Sequence, residues 1–413
     1  MIKREFYKKL LDELISDGKM VFVSGPRQAG KTTAVREYAE KYSNLRYFNW
    51  DSYSDKKTLA LDPYFFEKID RKDATKPLVL FDEIHKYKRW KNYLKGVYDD
   101  FSKEYLFIVT GSGRLDISQK GGDALSGRYF QMNFFPLTVS ELAGKKRGLG
   151  DFLSAPLENS AGGVNEAKDA WNTLSRCGGF PEPFLKGEEK FLLKWSESYA
   201  RQIIRDDIRN LYDLKNVEML EMLVAALPSR IGSPFSISGI ASDFQVAFET
   251  IKNWLRILDA FYVLFTVSTW TKKVARSILK EKKLYLFNYT EITDAPVKFE
   301  NMVALEIYKA VKFWNNAGYG RFGLHYLRNR DKEEVDFLIA RDNEPILLIE
   351  AKYSDVNVSR NLMTFQNYFN VPAVQLVNVE NVHRVIKNGK NQALIATAHV
   401  WLSALPLLEQ GKK

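Results

Sequence analysis

The residues best equipped for chemistry lie near the amino end, in Val21-Phe-Val-Ser-Gly-Pro-Arg-Gln-Ala-Gly-Lys-Thr-Thr33. Gly25 to Thr32 fits G-x-x-x-x-G-K-[ST], with a short apolar run before it and a helical stretch after it. Gly25, Pro26, Arg27, Gln28, Ala29, Gly30, Lys31, Thr32 and Thr33 are therefore the candidate cradle for a triphosphate. The two glycines let successive amides converge on phosphate oxygens. The helix starting there adds its positive end. Lys31 supplies a point charge to the β- and γ-phosphates, and the Thr32 hydroxyl reaches Mg²⁺. A second pair, Asp82-Glu83, closes the apolar run Leu78-Val-Leu-Phe81. Carboxylates at the carboxyl end of a buried strand sit where α/β sheets bind ligands. Asp82 would hold the Mg²⁺ shell, and Glu83 would orient and polarise the attacking water. The run Tyr105-Leu-Phe-Ile-Val-Thr-Gly-Ser112 ends in hydroxyls that can sense a γ-phosphate, with Ser112 preferred over Thr110. These residues predict binding of ATP or GTP with Mg²⁺, and hydrolysis.

A second group lies far along the chain. Val335-Asp-Phe is followed by Ile349-Glu-Ala-Lys352. Side chains alternate across a strand, so Glu350 and Lys352 share a face with Ala351 opposite. If the strand carrying Asp336 is adjacent, three charges converge at one sheet edge. Such convergence is costly unless a cation or phosphate neutralises it. Asp336 and Glu350 would bind Mg²⁺ through oxygen. The metal would lower the pKa of a bound water, and Lys352 would orient that water or meet the phosphate. Glu300 would complete the site, whereas Glu306, six residues on, points away around the helix. The Asp-x13-Glu-x-Lys spacing matches the PD-(D/E)XK nuclease pattern. The bland alternative is an electrostatic lock, Lys352 paired with Asp336 or Glu350.

The elements that must position these groups follow from periodicity. Phe6, Leu10, Leu11, Leu14 and Ile15 predict a helix before the first strand, and Leu45 to Asp51 predicts a second strand. Trp171 to Tyr212 reads as helices, with Arg201, Arg205 and Arg209 on one face and Asp206 and Asp207 as available partners. Helices at Met219–Leu227, Ser236–Phe244 and Ala247–Leu258, then strands at Phe261–Val267 and Lys283–Phe287, give a winged helix-turn-helix order. The third helix exposes Thr250, Lys252, Asn253 and Arg256, and the wing carries Lys272, Lys273 and Arg276. These residue types suit phosphate and groove contacts, although such a module also serves for protein packing. A helix from Phe299, three strands, a helix and a strand give an α-β-β-β-α-β order at the carboxyl end.

At 413 residues, several domains are expected. The net charge of +10 favours a polyanionic partner. The single cysteine, Cys177, excludes an internal disulfide framework and fits a reducing compartment. No apolar run reaches membrane length and no zinc spacing is present, so a cytoplasmic protein without membrane contact is expected.

Taken in order, Gly25–Thr33, Leu80-Phe-Asp-Glu-Ile84, Thr110-Gly-Ser112, Ser126-Gly-Arg128, Phe135-Pro-Leu-Thr-Val-Ser-Glu-Leu142 and Gly178-Gly-Phe-Pro-Glu182 resemble the prokaryotic AAA+-type ATPases with a C-terminal PD-(D/E)XK nuclease-like domain. The resemblance spans nearly the whole chain. It implies a P-loop NTPase (AAA+-like) core over residues 1–145, a helical lid or connector over 146–215, a winged helix-turn-helix over 216–290 and a restriction-endonuclease-like α/β domain over 291–413. It also implies a homo-oligomer in which Arg128 reaches a neighbour's nucleotide. Local pairing of Arg128 with an acidic side chain is the competing reading, and Arg114 is a rival finger. The leading reading is an ATP-hydrolysing enzyme that acts on DNA, its last domain a candidate Mg²⁺-dependent nuclease whose cleavage the sequence leaves open. The alternative is a nucleotide-switched regulator with a protein or DNA partner and a non-cleaving terminal domain.

Overall fold

The structure, a computed structural model, describes residues 2–113, 125–143, 147–158, 164–209, 216–272 and 282–407. Arg114, Tyr212, Lys273 and Arg276 lie outside them. The chain divides into two compact units: Met1–Pro136 with Ala260–Tyr262, and Leu137–Asp259 with Val263–Lys413.

The first unit is built on a five-stranded sheet. Helix α1 (Glu5–Ser16) buries Tyr7, Leu10, Leu11, Leu14 and Ile15, one stripe at helical spacing. Strand β1 (Met20–Ser24) is buried along its whole length and feeds the glycine loop and helix α2 (Lys31–Ala39). Strand β2 (Leu45–Asn49), helix α3 (Tyr53–Leu61), strand β3 (Leu78–Asp82), helix α4 (Trp90–Phe101), and strands β4 (Leu106–Gly111) and β5 (Tyr129–Asn133) follow. All pairings are parallel, in the order β2-β3-β4-β1-β5. Parallel strands covered on both faces read as continuous apolar runs, which is why Leu78–Phe81 and Phe107–Val109 were legible. Register sets Asp82 beside Thr110 and Ser24 beside Gly111. The ends of β3, β4 and β1 thus present one row of polar groups.

The second unit opens with helices at Val139–Leu142, Leu149–Ser154, Val164–Cys177, Pro181–Lys186 and Glu189–Arg201. The turns over Gln202–Ile208 are π-helical. This wider winding breaks the expected four-residue face of arginines. Arg201 pairs with Glu197 and Arg205 with Glu221. Helices Val217–Ala226, Ile237–Asp243 and Phe248–Ala260 come next.

One nine-stranded sheet follows. Its strands are β6 (Pro234–Phe235), β7 (Leu264–Thr269), β8 (Lys282–Leu286), β9 (Phe322–Arg328), β10 (Glu334–Arg341), β11 (Glu344–Lys352), β12 (Ala373–Val377), β13 (His383–Asn388) and β14 (Asn391–Thr397). The spatial order is β13-β14-β12-β11-β10-β9-β7-β8-β6. The hairpin expected to act as a separate wing is therefore an extension of the carboxyl-terminal sheet. It joins through parallel pairing of Ser268 with His325 and Thr269 with Tyr326. Pairing removes an open edge from both parts. Across the sheet lies the long helix Ala295–Asn316, started by Asp294 accepting from the Val297 amide and by Pro296 in its first turn. Among the described residues no helix is long and apolar enough to cross a membrane.

Candidate functional site

The glycine loop is locked from beneath. A Cβ on Gly25 would lie 1.9 Å from the Phe134 carbonyl oxygen, so only glycine fits there. The Phe134 amide donates to the Ser24 carbonyl at 2.7 Å. Gly30 caps α2 with φ of 92°, and Gln28 has φ of 60°. Such left-handed turns aim consecutive amides inward. The Lys31 ammonium is buried and donates to the carbonyls of Gly25 (3.0 Å) and Pro26 (2.8 Å). It is thus held inside the loop. Ala29 is buried, Arg27, Gln28 and Thr32 are half-buried and Thr33 is exposed. Arg4 donates to the carbonyls of Ala29 (3.2 Å) and Phe135 (2.8 Å) and stacks over Tyr7 and Phe134. Nothing in the spacing of Arg4 marked it, because its partners are backbone atoms distant in sequence.

Three hydroxyls converge on the buried Asp82 carboxylate. Thr32 donates at 3.1 Å and Tyr47 at 2.8 Å, and Thr110 donates to it as well. Hydrogen bonds to an ionised acceptor are the strong ones. A Thr hydroxyl touching a fixed carboxylate is the oxygen-donor set that suits Mg²⁺. The residues therefore fit the cation that the sequence implies. Of the two hydroxyls at the end of β4, Thr110 is the one on Asp82. Ser112, preferred from sequence, is buried with its own hydroxyl unpartnered.

Glu83 follows in the left-handed region, with φ of 56°. That conformation is costly for a side-chain-bearing residue and recurs at working sites. Its amide donates to the Thr110 carbonyl at 3.1 Å. Its carboxylate lies 3.2 Å from Lys86 and 3.7 Å from His85. Burial would raise its pKa, but His85, Lys31 and Lys86 outweigh burial and hold it below the usual range. Glu83 is ionised at neutral pH and able to accept a hydrogen bond from water. Lys86 is shared with Asp51 at 2.7 Å. Arg128 pairs with Asp99 through two hydrogen bonds of 2.7 and 3.0 Å, the local pairing that was the alternative to an intermolecular finger.

In the second unit, the strands carrying Asp336 and Glu350 are antiparallel neighbours. Asp336 accepts from the Ala351 amide at 3.0 Å, and the Asp336 amide donates to Glu350 at 3.3 Å. Lys352 pairs with Glu350 at 2.9 Å. Glu300 joins from the long helix, while Glu306 is buried elsewhere and accepts from the Val139 amide at 2.7 Å. The group the sequence did not suggest is Lys283 of β8, only 1% exposed. Its ammonium lies 3.1 Å from Glu300, 3.1 Å from Asp336 and 2.7 Å from Glu334. Tyr285, two residues on and on the same face, donates to Glu300 at 2.7 Å. Burial, then Asp336, push Glu300 up to about 7, and the same causes push Glu350 up to about 7. Among the described residues no group of three His, Cys, Asp or Glu side chains is arranged to hold a metal ion. The expected Mg²⁺ does not fit here: an ammonium stands among the carboxylates that would bind it.

Of the candidate DNA contacts, Lys252, Asn253 and Arg256 are exposed on the helix Phe248–Ala260, and Lys272 is exposed beyond β7. Lys252 pairs with Glu249 at 3.1 Å, and Arg256 donates to Asn253 at 3.0 Å.

Parallel sheet, glycine loop and carboxylate pair define a P-loop ATPase core. Residues 17–143 match the family model described as an AAA domain. Residues 168–289 and 298–400 match two domains of unknown function, DUF8612 and DUF4143. An uncharacterized protein of Methanocaldococcus jannaschii is 22% identical over 93% of this chain and 84% of its own length. One from Haemophilus influenzae is 22% identical over 86% of this chain and 87% of its own. Among solved structures, a Walker-type ATPase of Pyrococcus abyssi aligns over 71% of this chain and 95% of its own, with 13% identity and a TM-score of 0.44.

Proposed function

We propose that this protein binds and hydrolyses ATP with Mg²⁺ and uses the cycle to act on DNA as a homo-oligomer. The observation that carries the hydrolytic part is Asp82, fixed by three hydroxyls, next to an ionised Glu83. Lys31 and the loop amides would hold the β- and γ-phosphates, and Thr32 with Asp82 would hold the Mg²⁺ shell. The cation supplies charge neutralisation at the transferring phosphoryl group. Glu83 orients the attacking water and takes up its proton at a carboxylate oxygen. Lys86 and His85 keep that carboxylate in place.

The DNA part is supported by the net charge of +10 and by the exposed Lys252, Arg256 and Lys272. We read residues 217–286 as a winged helix-turn-helix whose hairpin has been absorbed into the larger sheet. A second reading, a nucleotide-switched regulator with a non-cleaving terminal domain, is favoured by the ion pairs that fill the Asp336 cluster. Both readings share the ATPase core and a cytoplasmic location.

The test is ATP turnover of wild type and Glu83→Gln, with and without DNA. Loss of a positioned base lowers turnover by about 10²–10⁴-fold while nucleotide still binds. Wild-type turnover in the variant would remove Glu83 from the chemistry. Wild-type turnover indifferent to DNA would favour the switch.

A further inference from the structure

The carboxylates on β10, β11 and the long helix ask for a positive charge, and the structure supplies one from a strand remote in sequence. Lys283 is 1% exposed, and its nitrogen lies within 3.1 Å of Glu300, Glu334 and Asp336. A buried ammonium is expensive to desolvate unless its hydrogen bonds are met by acceptors. Here three carboxylates meet them. Two further cations stand at the edge of the cluster, Arg328 on Glu334 at 3.0 Å and Lys352 on Glu350 at 2.9 Å, so three cations face four carboxyl groups. The remaining acceptor capacity is also engaged, since Tyr285 donates to Glu300 and backbone amides donate to Asp336 and Glu350.

We infer that Lys283 is the resident cation of this cluster, standing in the place a divalent metal would otherwise take. The terminal domain therefore holds its acidic site with an ammonium fixed to the protein. This deepens the second reading above and does not depend on the ATPase assignment. A divalent ion could enter only by displacing the Lys283 ammonium from its three carboxylates, while pairing of β8 with β6 and β7 holds the lysine's backbone in the sheet. An approaching phosphodiester would also meet carboxylates with no metal to bridge them, so the cluster is built for holding strands together.

The test is a Mn²⁺ titration of the nucleotide-free, full-length protein by calorimetry and by electron paramagnetic resonance. Wild type is expected to take up no Mn²⁺ at the cluster below the millimolar range. Lys283→Met, which keeps the chain length and removes the charge, is expected to gain one site at least about tenfold tighter. That gain should vanish in Lys283→Met/Asp336→Asn, and Mn²⁺ should raise the melting temperature of the single variant by about 2 °C or more. Micromolar Mn²⁺ uptake by wild type that disappears in Asp336→Asn would overturn the inference, whatever the folding behaviour of the Lys283 variants. A folded Lys283→Met that gains no Mn²⁺ site would overturn it too.

Discussion

Tyr47→Phe tests the ordering of Asp82 with little disturbance elsewhere. The phenol donates to Asp82 at 2.8 Å, and Arg36 lies 5.0 Å above the ring. Phenylalanine keeps the ring and that stacking, so only the hydroxyl is lost. A hydrogen bond to an ionised group contributes about 1.5–3 kcal/mol. Asp82 retains Thr32 and Thr110, which places the loss at the low end, ~1.5 kcal/mol or about tenfold in rate or in Mg²⁺ dependence. Burial, then Asp82, raise the Tyr47 pKa far above its ordinary value, so the phenol remains a neutral donor throughout the working range. The deficit should therefore be equal at pH 6.5 and pH 8.5. The assay is steady-state ATP turnover at saturating nucleotide across a Mg²⁺ series at both pH values. Unchanged turnover and unchanged Mg²⁺ dependence would refute the view that Tyr47 positions Asp82. A deficit present at pH 6.5 that disappears at pH 8.5 would mean that the hydroxyl ionises.

Lys31→Ala removes a cation held by two loop carbonyls and should weaken ATP binding at least about 100-fold in a calorimetric titration; retained affinity would misplace the phosphate site. Glu306 tests pH dependence: burial pushes its carboxyl from 4.5 up to about 8, so the folded state holds a proton that the unfolded chain has released. Its stabilising contribution is then full below about pH 4.5 and is lost as pH rises towards 8. Melting temperature should fall between pH 7 and 8.5, and Glu306→Gln should flatten that fall. An identical slope in the variant would show that Glu306 is ionised in the folded protein.

The first unit was legible because its chemistry is local. Gly25 to Thr32 is contiguous, and Asp82-Glu83 ends a strand whose burial is written in four apolar residues. Tyr47 and Lys86 were missed because each acts through a partner on another strand or turn. That Thr110 is the hydroxyl held by Asp82 needed the register: parallel pairing of β3 with β4 places Asp82 level with Thr110. In the second unit the convergence of Asp336 and Glu350 followed from strand alternation. Lys283 did not, since its role depends on β7 joining β9 and carrying β8 onto the same sheet. The sequence alone assigned Lys283 no role beyond the start of a strand. Its near-complete burial became visible only with that topology.

The chain's return for Ala260–Tyr262 has a practical corollary. Tyr262 hydrogen-bonds Ser24 at 2.8 Å, the residue immediately before the glycine loop, and accepts from Asn133 at 3.1 Å. A fragment ending at Pro136 would carry every residue of the triphosphate cradle yet lack the phenol that bridges Ser24 and Asn133 beneath it. Expressed alone, such a fragment is a poor proxy for the enzyme: weak nucleotide binding by it would report a missing strut, and would say nothing about the cradle itself.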